Sequence, residues 1–264
     1  MKYENKWGVV LATTFSAEMF EGDTQKAVEY LEAIRRWTPG IKSIALAGRL
    51  PGFLAREKIM LEPPFVWGQR GTAHSMVQVL LRAVGEKKLE PKNACVALLG
   101  YGYTGQNVAK LAQKFFRKVI AIDPRLEHEL IGNLVITPNP ELLEQADVVL
   151  VLTGSGDEAR TAIPFLHPGM LVIDDTHPAM KRDVRQAILD MGADVVKAVM
   201  RHRKFFMFPR LSGFESSHDV PGCLLEALVV LHHGEWVLLD PNVFRSYVEK
   251  MQFNSHLSFH PNDY

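Results

Sequence analysis

Cys95-Val96-Ala97-Leu98-Leu99-Gly100-Tyr101-Gly102-Tyr103-Thr104-Gly105 joins a short apolar run to three glycines in the spacing G-x-G-x-x-G. A continuous run of Val, Ala and Leu reads as a strand covered on both faces. Each glycine then has its own task. The first permits a tight turn out of the strand, the second lets a pyrophosphate approach bare backbone, and the third lets the next helix pack closely on the strand. That helix is carried by Val108, Leu111, Ala112, Phe115 and Phe116 at helical spacing. Its free N–H groups and positive dipole end face the phosphates. The following apolar run, Val119-Ile120-Ala121-Ile122, ends in Asp123, 23 residues after Gly100. A carboxylate there accepts both ribose hydroxyls and repels a 2′-phosphate. NAD is therefore the expected cofactor, and Arg125 close by leaves NADP open.

Downstream the same alternation continues. Strands are expected at Cys95–Leu99, Lys118–Ile122, Leu134–Ile136, Asp147–Leu152, Met170–Ile173 and Asp194–Val199, with helical spacing between most of them. Repeated βα units imply an α/β fold, a Rossmann-type doubly wound parallel sheet. Thr153-Gly154 follows the fourth of these strands, where a loop would flank the nicotinamide; a plain turn is the alternative. The expected cofactor contacts are thus Gly100, Gly102, Tyr103, Thr104, Gly105, Asp123, Thr153 and Gly154.

Upstream, residues 1–92 read as a smaller α/β unit. Strands are expected at Gly8–Thr13, Ile41–Ala47 and Phe65–Trp67, and helices at Thr24–Trp37 and Thr72–Val84. The charged stretch Glu86–Asn93, with Pro91, is the expected linker to a dinucleotide-binding domain over residues 93–221. After it come an apolar helix, Cys223–Leu231, a last helix from about Asn242 to Met251, and a frayed tail. Too few strands precede residue 93 to bury a core alone, so the helices after Gly222 are expected to complete that smaller unit.

Bulk properties narrow the function classes. The chain has 264 residues and a formal net charge of zero, which gives no electrostatic reason to expect nucleic acid or an anionic membrane as a partner. No apolar run reaches the length of a membrane span, and the first residues lack the apolar stretch of a signal peptide. Two cysteines cannot form a disulfide framework, so a cytoplasmic setting is expected. No histidine pair has metal-ligand spacing, and no metal is expected. A homo-oligomer is expected.

Cys223 follows Pro221-Gly222, at the start of an apolar helix. A helix N-terminus stabilises a thiolate, which can attack an acyl carbonyl; a buried, inert cysteine is the plain alternative. Cys95, inside a strand, reads as core. His177 and His218 flank expected site segments and could act as acid or base, whereas surface positions are the ordinary reading for most of the ten histidines. Arg201-His202-Arg203-Lys204 could hold a phosphate or form a solvated basic loop.

Several blocks, in order, resemble the catalytic part of the cyanobacterial-type long-chain acyl-[acyl-carrier-protein] reductases, over roughly Ile44 to Trp236. They are Phe65-Val66-Trp67-Gly68-Gln69-Arg70-Gly71-Thr72-Ala73-His74, the glycine loop, Gln145-Ala146-Asp147-Val148-Val149, Leu171-Val172-Ile173-Asp174-Asp175-Thr176-His177-Pro178, and Gly222-Cys223-Leu224-Leu225-Glu226-Ala227. The resemblance implies that Cys223 carries an acyl group. It also puts Gln69, Thr72 and His74 on the opposite wall, at the opening turn of a helix. A small-molecule or acyl-carrier substrate would follow. The family has a further N-terminal region for which this sequence has no room, and its second strand is suited to NADPH, whereas Asp123 argues for NAD. The strand–acid–proline block is also shared with shikimate-type dehydrogenases and glutamyl-tRNA reductases.

The expected function is an NAD(P)-dependent oxidoreductase that reduces an acyl thioester or related carbonyl through Cys223. The expected catalytic set is Cys223, His74, Gln69, Thr72 and His177. The alternatives are a dehydrogenase of a small imino, keto or hydroxy acid, with His74 or His177 as proton donor, and a module that senses NAD(H) without turnover.

Overall fold

The runs of Val, Ile and Leu form the middle of one large sheet in a computed structural model that describes residues 1–11, 17–20, 23–210 and 214–258. In chain order the strands are β1 (Lys2–Tyr3), β2 (Lys6–Trp7), β3 (Ile44–Ala45), β4 (Phe65–Val66), β5 (Cys95–Leu99), β6 (Lys118–Ile122), β7 (Glu129–Ile131) and β8 (Leu134–Thr137). They continue as β9 (Val148–Val151), β10 (Leu171–Asp174), β11 (Asp194–Arg201), β12 (Phe205–Phe206), β13 (Asp219–Val220) and β14 (Asn254–Ser258). The helices are α1 (Thr24–Trp37), α2 (Leu50–Arg56), α3 (Gln69–Glu86), α4 (Tyr103–Ala112), α5 (Arg182–Asp190), α6 (Gly222–His233) and α7 (Pro241–Lys250).

The 9-stranded sheet runs β13-β11-β10-β9-β5-β6-β8-β7, with β14 also on β11. The pairings from β11 across to β8 are parallel, while β7, β13 and β14 add antiparallel edges. The order of the parallel strands reverses between β5 and β9. Ligands of such sheets bind outside the carboxyl ends of the strands at that point. The fold is the α/β, doubly wound arrangement expected.

Both faces of the sheet are covered. α3 and α4 pack on one, through Val77, Leu80, Val84, Val108 and Ala112 against Val96, Leu98 and Val119. α5 and two 3-10 segments, Pro140–Gln145 and Gly156–Phe165, cover the other, where Leu143, Ala159, Ala162 and Ile188 meet Val149, Val151 and Val172. The N-terminal unit has its own small core of Phe20, Ala27, Leu31, Ile34, Leu46, Phe53, Leu54 and Phe65. Val66 joins Leu225, Val229, Val237, Phe244 and Val248, so β4 and the helices after Gly222 share a second cluster.

Several expectations differ from what is found. Gly8–Leu11 lies in no strand, and the rest of that expected strand, residues 12 and 13, falls outside the described residues. The expected Ile41–Ala47 strand is reduced to Ile44–Ala45, paired with Phe65–Val66. The Thr72–Val84 helix begins earlier, at Gln69, and buries much of its length in the core of the large sheet. The tail is not frayed where it is described: Asn254–Ser258 pairs with Lys197–Arg201. No helix among the described residues is long and apolar enough to cross a membrane.

Candidate functional site

The glycine turn has the geometry its spacing requires. Gly100 sits at φ +98°, where an L side chain is strained, and a Cβ there would also press on the Leu152 backbone. A Cβ on Gly105 would run into the Gly100 carbonyl, so α4 lies directly against the turn. At Gly102 a Cβ would meet nothing within 4 Å. That empty space is what a pyrophosphate needs, and Gly102 is the N-cap of α4 with no side chain engaging the helix's first N–H groups.

Around this turn lies a cavity of about 1120 Å³, at the carboxyl ends of β5, β9 and β10. Gly100, Gly102, Tyr103, Thr104, Asp123, Thr153 and Gly154 line it, and so do Gln69, Thr72, His177 and Cys223. Gly105 serves packing instead. Thr153 Oγ1 donates to the Ser155 carbonyl at 2.8 Å, and Ser155 caps the 3-10 segment that follows.

Asp123 is engaged more fully than the sequence implied. Its Oδ1 accepts from the Arg125 backbone N–H at 3.1 Å and from Arg125 Nε at 2.8 Å. Its Oδ2 accepts from Arg125 Nη2 at 2.6 Å and from the Tyr101 N–H at 3.1 Å. The Arg125 bonds, ahead of the two backbone donors, hold the carboxyl down at about 2. Arg125 itself is 76% exposed, so a guanidinium lies over the acid where Asp123 borders the cavity.

The opposite wall comes from α3 and α6. Glu226 Oε2 accepts from the N–H groups of Arg70 at 2.7 Å and Gly71 at 3.3 Å, so it caps α3. The acid of the Cys-x-x-Glu segment is thus a positioning group that the sequence reading left without a role. Gln69 Oε1 accepts from Asn107 Nδ2 at 3.0 Å, tying α3 to α4. Thr72 Oγ1 donates to the Gly68 carbonyl at 2.9 Å. Ser75 and Met76 also line the cavity, one turn further along.

His74 requires a correction. It faces away from the cavity and is 4% exposed. Burial first, and Arg245 second, push its pKa down to about 4, so it is neutral and has no access to a substrate. Successive residues of a helix turn by roughly 100°, so Thr72, Ser75 and Met76 share one face and His74 points elsewhere.

Cys223 lies where expected, at the start of α6 and in the cavity, but its thiol is not activated. Burial raises its pKa to about 11; the Leu224 N–H opposes this, and the charges of Asp175 and Glu226 add to it. Desolvation therefore outweighs the helix N-terminus.

Two further polar residues line the same end of the cavity, Asp175 and Lys197. Lys197 is buried on β11, with Nζ 5.3 Å from the centre of the Phe214 ring. Its position inside an otherwise apolar strand, Val195-Val196-Lys197-Ala198-Val199, was the available signal. Asp174 turns away from the cavity and holds the next turn: Oδ1 accepts from the Thr176 N–H and hydroxyl, and Oδ2 from the Met180 N–H at 2.8 Å. His177 is accessible at the cavity rim, with its pKa lowered by the surrounding protein and by Lys197.

His218 lies outside the cavity, with Nδ1 2.6 Å from the Phe205 carbonyl. The basic run is largely engaged: Arg201 pairs with Asp219 at 2.6 Å, Lys204 with Glu4 at 2.7 Å, and His202 is buried. Among the described residues no group of three or more His, Cys, Asp or Glu side chains could hold a metal ion.

Residues 74–164 match the family model of the NAD binding domain of the D-isomer specific 2-hydroxyacid dehydrogenases. That match spans the glycine turn, β5, α4 and β6. The match covers less than half of the chain, so it describes the NAD(P) unit and not the protein as a whole. No curated protein matches. Among solved structures, the chain is similar to the NAD-dependent formate dehydrogenase of Staphylococcus aureus in complex with NAD, at 14% identity over 50% of each chain with a TM-score of 0.38. A D-isomer specific 2-hydroxyacid dehydrogenase from Xanthobacter autotrophicus Py2, in complex with NADPH and MES, matches at 14% identity over 75% of this chain and 100% of that one, with a TM-score of 0.41. The NAD complex of the corresponding enzyme from Lactobacillus delbrueckii ssp. bulgaricus matches at 15% identity over 86% of this chain and 92% of that one, with a TM-score of 0.39. The first of these likenesses spans only half of either chain.

Proposed function

We propose that the chain is an NAD(P)-dependent oxidoreductase that moves hydride directly to or from the carbon of a small keto or hydroxy acid. One observation carries this reading. A single cavity joins the open glycine turn to a polar cluster of Asp175, His177, Lys197 and Cys223 at the strand ends. When bound there, the nicotinamide supplies or accepts the hydride. The chain's own groups do the rest. Gly102 and the first turn of α4 take the pyrophosphate, and Thr153 and Gly154 border the reacting end. Lys197 offers positive charge to an acidic substrate. The 2-hydroxy acids named by the matching family model support this substrate class.

Asp123 and Arg125 together set the choice of cofactor. With Arg125 in place the ribose end offers a cation to a 2′-phosphate; with Arg125 turned away Asp123 accepts the hydroxyls of NAD. Both cofactors are expected to bind.

The thioester reading retains one observation in its favour, the presence of Cys223 in the cavity at a helix N-terminus. The raised thiol pKa favours direct transfer.

The test is a fluorescence titration with NADH and NADPH, followed by turnover of a panel of 2-oxo acids and acyl thioesters. Binding of neither cofactor rejects the reading. If 2-oxo acids turn over and Cys223→Ala keeps that turnover, direct transfer stands. If only thioesters react and the variant is dead, the cysteine route replaces it.

A further inference from the structure

We propose that Asp175 is the catalytic acid–base of this site, the group that gives the substrate oxygen its proton on reduction and takes it back on oxidation. This rests on the oxidoreductase reading above.

The argument starts from two adjacent acids with opposite fates. Asp174 is the last residue of β10, and both its oxygens are consumed by N–H and hydroxyl groups of the turn that follows. At 2% exposed and off the cavity lining, it is out of a substrate's reach. Asp175 is the next residue, and along an extended chain neighbouring side chains point to opposite sides. Its backbone N–H is tied to the Val151 carbonyl at 3.3 Å, which keeps it beside β9. Its carboxyl lines the cavity and makes no hydrogen bond among the described residues. A carboxyl that a fold leaves unbonded within a ligand cavity is available to a ligand.

Its neighbours suit it to proton transfer. Asp174 stands beside it at the end of β10, His177 on the next turn, Lys197 on β11 and Cys223 on α6. Asp219 bears on Lys197, and Glu226 on Cys223. Burial, followed by the charge of Asp174, raises Asp175 to about 7, while Lys197 pulls it down. A carboxyl with that value is divided between acid and base forms near neutral pH, the condition for general acid–base work.

The step balances as follows. On reduction a hydride brings its electron pair to the carbonyl carbon, and the C–O π pair moves onto oxygen. That oxygen takes the proton from the Asp175 carboxyl, leaving a carboxylate. Water at the cavity rim, beside His177, restores the proton. The substrate gains two electrons and the dinucleotide loses two. Oxidation runs the same transfers in reverse.

The test reads binding, not turnover, and uses NAD⁺ and NADH as probes. NAD⁺ carries positive charge on the ring that NADH lacks, so an ionised Asp175 beside the ring favours NAD⁺. Wild-type affinity for NAD⁺ should rise by about tenfold or more between pH 5.5 and 8.5, one unit of pKa being a factor of ten. NADH affinity should stay level or fall slightly. NAD⁺ binding should also release a proton near neutral pH, with loss of a protonated-carboxyl band in the infrared difference spectrum. Asp175→Asn should bind both forms without pH dependence. The infrared band is read on the wild type, so it decides the matter even if Asp175→Asn does not fold. The proposal is overturned if both dinucleotides bind with no pH dependence, or if no carboxyl band is lost. It is equally overturned if the dependence survives in Asp175→Asn. Failure of the wild type to bind either dinucleotide rejects the oxidoreductase reading itself, and Asp175's role with it.

Discussion

Replacing Gly102 and Gly105 one at a time should separate binding from folding within a single turn. Gly102 has φ −72° and ψ −162°, which any residue adopts, and open space where its Cβ would be. Gly102→Val therefore costs the apo protein only the difference between glycine and a poor N-cap, about 1 kcal/mol. The new side chain occupies the place of the pyrophosphate. At a hundred times its Kd, NADH stabilises the wild type by about 2.7 kcal/mol. For a chain of this size that is a rise in melting temperature of about 5–10 °C. Gly102→Val should melt within a few degrees of the apo wild type and show no rise with NADH. Gly105→Ala is the converse, because its Cβ would collide with the Gly100 carbonyl oxygen and lie 3.1 Å from that carbonyl's carbon. Neither atom can yield without moving β5 or α4, so the apo protein should lose about 1–3 kcal/mol. Differential scanning fluorimetry with and without NADH reads both effects. A normal NADH-induced rise in Gly102→Val would refute the assignment of that space to the pyrophosphate. An unaltered apo melting temperature in Gly105→Ala would refute the packing argument.

Three other outcomes are expected. Iodoacetamide should alkylate Cys223 slowly at pH 7–8 and faster only as pH approaches about 11; a fast reaction with a midpoint below the ordinary thiol value of about 8.5 would restore the thiolate. His74 has its pKa lowered to about 4 from 6.5, so between those values the unfolded chain binds more protons than the folded one. Stability should then fall by up to about 3 kcal/mol as pH drops through that window, and urea unfolding of His74→Leu should lack this component. Arg125→Ala should weaken NADPH roughly tenfold while sparing NADH, as befits loss of a charged hydrogen-bonding partner for a phosphate; an equal loss for both cofactors would detach Arg125 from the choice between them.

The glycine turn and its flanking elements were legible because their parts are close in the chain. β5, the glycines, α4 and β6 follow one another, and the expected limits of β5 and β6 coincide with those found. α1 was equally plain, running over the expected Thr24–Trp37, and the structure adds Asp23 as its cap. The polar cluster across the cavity was not. Asp175, Lys197, Glu226 and Cys223 meet only after distant segments pack, and no local spacing announces it. Which face of α3 looks into the cavity depends on where α6 crosses it, so His74 was assigned to the wrong side. β14 escaped notice because its pairing with β11 joins residues far apart in sequence. β7 is exposed along its whole length, so it lacks the alternation that marks a half-buried strand.

Gly68, Gly71 and Gly222 lie where α3 and α6 begin, and a side chain on any of them would meet the other segment: Cys223 from Gly68, the Gly222 carbonyl from Gly71, and Thr72 from Gly222. The two walls that carry Gln69 and Cys223 thus touch backbone to backbone. Their separation is set by van der Waals radii, as in a machined stop, and not by rotamers that could relax. Exchanging lining side chains would alter the texture of this opening and leave its calibre unchanged.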